Sequence, residues 1–138
     1  KVQLVALVYA SRSNACPRII ADMQQIEAQL PENAAEHLSL VLVSIDPEID
    51  TPEKLKALAE KSHLSQKWSL LQGSPEQVLE LAAVLGVKYK KISETDYAHS
   101  NIISVLNPEG EVKHQQTGLG VDPQATLAAI DGLLKSAS

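Results

Sequence analysis

Cys16 is the one sulfhydryl of the chain, and the residues around it place it where a thiol can do chemistry. It stands between the apolar run Val2 to Tyr9 and a segment in which Ile19, Met23, Ile26 and Leu30 recur at helical spacing, with Pro17 suited to the first helical position. A thiol at a helix start feels the positive end of the helix dipole and free backbone N–H groups, which favour the thiolate, the form that attacks electrophiles and binds metals. Arg12, four residues earlier in a small polar loop, adds a second positive influence. The same position also suits a small buried hydrophobe, a common fate of lone cysteines.

The other reactive side chains divide in the same way. His99 lies between a polar loop and an apolar run, where its neighbours alone make it a hydrogen-bonded edge residue; His37, His63 and His114 read as surface residues. Met23 is seven residues, two helical turns, past Cys16 and reads as core rather than as a soft metal ligand. Trp68 and Tyr89 read as packing residues. Asp46, Glu48 and Asp50 form an acidic loop able to attract a hard cation, yet Asp46-Pro47 and Asp50-Thr51-Pro52 are also good turn and cap sequences, and that reading is preferred. Gly118 and Gly120 lack the strand-turn-helix context of a phosphate loop.

The elements that must position these groups follow from periodicity. Val2 to Tyr9 and Leu38 to Ile45 are apolar and β-branched, as strands buried on both faces are. A helix follows Pro52 with Leu55, Leu58 and Ala59 inward, and Trp68 to Leu71 is a short strand. Ser74-Pro75-Glu76-Gln77 is a capped helix entry, Val78, Leu81, Ala82 and Leu85 its buried stripe, and Gly86 its stop. Lys88 to Ala98 reads as a polar loop leading to a strand through Ile102, Ile103, Val105 and Leu106. The hairpin turn Asn107-Pro108-Glu109-Gly110 returns the chain along Glu111 to Gln116, and Asp122-Pro123 starts a last helix with Leu127, Ile130 and Leu134 inward. This β-α-β-α-β-α-β-β-α order predicts a single α/β domain with a mixed central sheet, helices on its faces, and a C-terminal β-hairpin plus helix.

Composition narrows the function classes. A chain of 138 residues with 44% hydrophobic and 21% charged residues is an ordinary globular domain. The net charge of −5 argues against nucleic acid as a partner, and Lys88, Lys90 and Lys91 form the single basic cluster. One cysteine excludes an internal disulfide and a multi-cysteine zinc site. No apolar run approaches the length of a membrane span. The chain opens at Lys1 directly on a strand, so it is read as a processed or truncated form whose upstream export signal or anchor would not be seen.

Five segments, in order, resemble the SCO1/SenC family: Tyr9 to Pro17; Val43-Ser44-Ile45-Asp46-Pro47-Glu48 with Asp50-Thr51-Pro52; Leu71-Gln72-Gly73-Ser74; Tyr97-Ala98-His99-Ser100; and Leu106-Asn107-Pro108-Glu109-Gly110. The resemblance covers almost the whole chain and lacks the N-terminal hairpin that usually precedes the first strand. It implies a thioredoxin-like fold that binds copper, Cu(I) or Cu(II), through two loop cysteines and a histidine. It further implies copper delivery to an oxidase subunit, or thiol-disulfide chemistry with a thiol partner protein, during cytochrome c oxidase assembly. Its members face the periplasm or the mitochondrial intermembrane space from a membrane anchor, which implies a periplasmic or membrane-anchored location here. Carried onto this chain, the second cysteine is Cys16 and the histidine ligand is His99. The place of the first cysteine is taken by Arg12, and that of the acidic residue before the histidine by Ala98.

Three functions compete on this sequence. One is a SCO1/SenC-type copper site reduced to Cys16 and His99, with solvent or Asn14 completing it and weak Cu(I) binding at best. Another is a single-cysteine thiol peroxidase with Cys16 as the catalytic nucleophile, since Ser13-Asn14-Ala15-Cys16 resembles the Thr/Ser-x-x-Cys loop of peroxiredoxins; Ala10 stands where that loop has Pro, and there is no resolving cysteine. The last is a non-catalytic thioredoxin-fold binding module. The family reading is preferred because it spans the chain, whereas the peroxiredoxin likeness spans one loop. Whether the chain is an enzyme is left open by the sequence.

Overall fold

The computed structural model describes residues 1–8, 16–30, 36–45, 51–93, 96–99 and 101–137, and for 16–17, 89–93, 96–99 and 136–137 it describes the backbone. The first strand, β1 (Val2–Val8), lies at the centre of a five-stranded sheet. On one side it pairs in parallel with β2 (Leu38–Ser44), which pairs in parallel with β3 (Trp68–Leu71). On the other it pairs antiparallel with β6 (Ile102–Leu106), and β7 (Val112–Thr117) closes that side, giving the order β3-β2-β1-β6-β7. The mixed sheet and the terminal hairpin are those expected from the element order.

Central placement explains why β1 is apolar on both faces. Leu4, Ala6 and Val8 join one buried cluster and Val5 and Leu7 the other. In the first cluster they meet Ile19, Ile20, Met23 and Ile26 of α1 (Cys16–Gln29) and Ile130 of α4 (Gln124–Ala137). In the second they meet Val78, Ala82 and Leu85 of α3 (Pro75–Leu85). The sheet is thus sandwiched between helices, and alternate β1 residues serve opposite layers. Met23, fully buried, is core as expected. So is Trp68, which also donates its indole N–H to Glu27 Oε1 at 3.2 Å and ties α1 to the sheet edge.

Helix limits follow their caps. Thr51 accepts from Lys54 N–H at the start of α2 (Pro52–Lys61), and Leu55 is its buried residue. At α3, Ser74 accepts from Gln77 N–H while the Gln77 side chain accepts from Ser74 N–H, a reciprocal capping box; Gly86 ends the helix in the left-handed conformation. α1 begins at Cys16 itself, one residue earlier than Pro17 suggested.

Two expectations are corrected. The stretch Lys88 to Ala98, read as a loop, contains β4 (Tyr89–Ser93) and β5 (Asp96–His99), an antiparallel ribbon separate from the main sheet. Its residues, Tyr89-Lys90-Lys91-Ile92-Ser93 and Asp96-Tyr97-Ala98-His99, carry no apolar alternation for a sequence reading to find, and the backbone pairing is between the two strands themselves. His114, read as a surface residue, is half-buried, with Nε2 3.2 Å from Thr126 Oγ1 of α4. It shares a strand face with Gln116, and α4 covers that face. His37 and His63 are exposed, as expected.

Candidate functional site

The site is defined by one edge of the sheet. β1 ends at Val8, whose carbonyl accepts from Ile45 N–H at 2.9 Å just past the end of β2. α1 then starts at Cys16, and its buried stripe runs back along β1. β6 runs the other way: Ala6 opposes Ile103, so the start of β6 is level with the end of β1. His99 is the last residue of β5, opposite Tyr89 and three residues ahead of Ile102. Three residues of chain span at most about 10 Å. The strand that precedes Cys16 thus ends, and the strand that follows His99 begins, at one edge of the sheet, the edge at which α/β sheets commonly present ligand sites.

What those two side chains touch lies outside the described residues, as do Arg12, Asn14, Asp46, Glu48 and Asp50. Ala98 opposes Lys90 in the ribbon. Among the described residues no three His, Cys, Asp or Glu side chains gather as a metal-binding group.

Residues around this edge that the sequence did not single out are polar and bonded across long chain distances. Asn101, two residues past His99, gives its backbone carbonyl to Gly118 N–H at 2.8 Å, while its buried Oδ1 has no hydrogen-bond partner among the described residues. Asp22 of α1 accepts at Oδ2 from Gly120 N–H at 2.9 Å. Further along α1, Gln24 donates to Ser62 O at 2.9 Å, and Glu27 takes Trp68 N–H and Ser65 O–H. No local pattern announces the contacts of α1, because each of them joins segments at least 38 residues apart.

The family model described as SCO1/SenC matches residues 1–135. The chain belongs to the SCO1/SenC family. A Stutzerimonas stutzeri protein named "Putative copper-binding protein" is 33% identical over 112 residues, covering 78% of this chain and 54% of the relative. The chain thus spans about half the length of that curated relative. Among solved structures, BsSco, described as a member of the Sco family of cytochrome c oxidase assembly proteins and as having a disulfide switch, is 25% identical with a TM-score of 0.80, over 97% of this chain and 80% of that one. Arabidopsis thaliana ScoI with copper bound is 22% identical with a TM-score of 0.79, over 99% and 83%, and shares the fold. These SCO1/SenC neighbours bear out the thioredoxin-like architecture expected from the sequence.

Proposed function

We propose that this SCO1/SenC chain handles copper as cargo through a reduced donor set, the Cys16 thiolate and the His99 imidazole. Cu(I) is soft, favours thiolate, and accepts imidazole beside it. One thiolate balances the single charge of Cu(I), and an imidazole adds a second donor without further charge. The observation that supports the reading is the Ala6–Ile103 pairing, which levels the end of β1, the strand before α1, with the start of β6, the strand after β5. The family match over residues 1–135 supports the choice of metal.

The departure at Arg12 sets what such a site does. It takes away a thiolate and its negative charge and puts a guanidinium in that loop position, so the chain binds Cu(I) more weakly than a two-cysteine relative. A lone thiol forms no internal disulfide, so any redox turnover at Cys16 passes through a mixed disulfide with another protein's thiol. The role that fits is a step in cytochrome c oxidase assembly, with an oxidase subunit or a thiol protein as partner, on the periplasmic side of a membrane.

The test is an anaerobic competition titration against a chromophoric Cu(I) chelator. The wild type is expected to take one Cu(I), and both Cys16→Ala and His99→Ala to bind it more weakly. Unchanged affinity in Cys16→Ala would remove the proposal.

A further inference from the structure

The turn between β7 and α4 holds the two halves of the proposed site to one another. Gly118 continues the β6–β7 ladder past the Ile102–Thr117 pair, donating its N–H to Asn101 O at 2.8 Å, two residues from His99. Two residues on, Gly120 N–H donates to Asp22 Oδ2 at 2.9 Å. Asp22 sits six residues into α1 from Cys16, about 9 Å along the helix axis at 1.5 Å per residue. One short turn thus grips the strand that His99 leads into and the helix that Cys16 opens. Its geometry requires glycine: Gly118 and Gly120 have φ of 102° and 66°, and a Cβ at 118 would come within 3.3 Å of Val121. These are the two glycines that fit no phosphate loop, and the clamp accounts for them.

We propose that Asp22 is a positioning residue: through Gly120 it fixes α1, and with it the Cys16 backbone, relative to the segment that carries His99. A two-donor metal site depends on that relation more than a three-donor site does, because no third ligand restores the geometry when one donor drifts. A carboxylate acceptor makes this bond stronger than a neutral one would be. The inference rests on the copper-site reading above.

The experiment measures Cu(I) affinity of the whole chain by chelator competition in Asp22→Ala and Asp22→Asn. It combines each with Cys16→Ala and His99→Ala, and records the exchange rate of the Gly120 amide. Alanine is the better helix former, so α1 persists. Asp22→Ala is expected to weaken Cu(I) binding about three- to tenfold, the worth of one net hydrogen bond. It is also expected to speed Gly120 exchange and to abolish the coupling between the Cys16 and His99 substitutions. Asp22→Asn keeps an acceptor oxygen, weaker for being neutral, and is expected to restore most of all three. A general loss of structure would lower affinity without being rescued by asparagine. The clamp is overturned if Asp22→Ala frees the Gly120 amide yet leaves affinity and coupling as in the wild type, or if asparagine fails to rescue. If Cys16→Ala alone leaves affinity unchanged, the copper-site reading fails instead.

Discussion

Replacing Thr126 by valine is expected to cost about 2 kcal/mol, whereas replacing its partner Gln116 by leucine is expected to cost almost nothing. Thr126 is 1% exposed and donates its hydroxyl to Gln116 Oε1 at 2.7 Å; Gln116 is 5% exposed and its Nε2 has no partner among the described residues. Valine has threonine's shape, so it opens no cavity, but it strips the remaining partner from a buried amide. An unpaired buried polar group costs about 1–3 kcal/mol. Leucine at 116 removes the amide together with its existing deficit, and leaves the Thr126 hydroxyl 3.2 Å from His114 Nε2. That change is expected to lie within about 0.5 kcal/mol of wild type. The double variant should then lie closer to Gln116→Leu than to the sum, losing only the Thr126 contact of the half-buried His114, a coupling of about 1–2 kcal/mol. Urea unfolding followed by circular dichroism reads this directly: at a slope near 2 kcal/mol per molar, Thr126→Val moves the midpoint down by roughly 1 M with unchanged slope. The reasoning is refuted if Gln116→Leu is as costly as Thr126→Val, or if the double variant loses the sum of both.

Other outcomes follow from the site and the frame. Arg12→Cys, which puts a second thiol in the loop, is expected to raise Cu(I) affinity by at least about a hundredfold in chelator competition, since even losses outside the ligand sphere cost about 10–100-fold. An unchanged affinity would show that the loop position does not reach the metal. Ser74→Ala removes one arm of the α3 capping box and is expected to cost about 1 kcal/mol in urea unfolding, with Gln77→Ala not additive to it. Ile103→Ala, in a fully buried strand residue opposite Ala6, is expected to cost about 2–5 kcal/mol.

Most of the frame was legible because its signals are local. Trp68–Leu71 is found at the predicted bounds, and Ser74 and Gly86 delimit α3 through capping chemistry confined to a few residues. Val2 to Val8 declared a doubly buried strand by being apolar on both faces. The β4–β5 ribbon was not legible because its residues carry no hydrophobic period to read. His114 escaped because its polarity is satisfied by Thr126 from a helix that follows the strand by several residues. At the candidate site, Cys16 was visible as a thiol at a helix start. The bonds that fix its helix, Asp22 to Gly120 and Glu27 to Trp68, were not, because each needs the fold before its partners become neighbours.

In the proposed site, copper sits on one sulfur and one imidazole nitrogen. Copper K-edge X-ray absorption of the Cu(I)-loaded chain measures that donor set directly. One sulfur and one nitrogen scatterer, with the sulfur lost in Cys16→Ala and the imidazole signature lost in His99→Ala, is the predicted result. A spectrum without sulfur, or one that neither substitution alters, would contradict it.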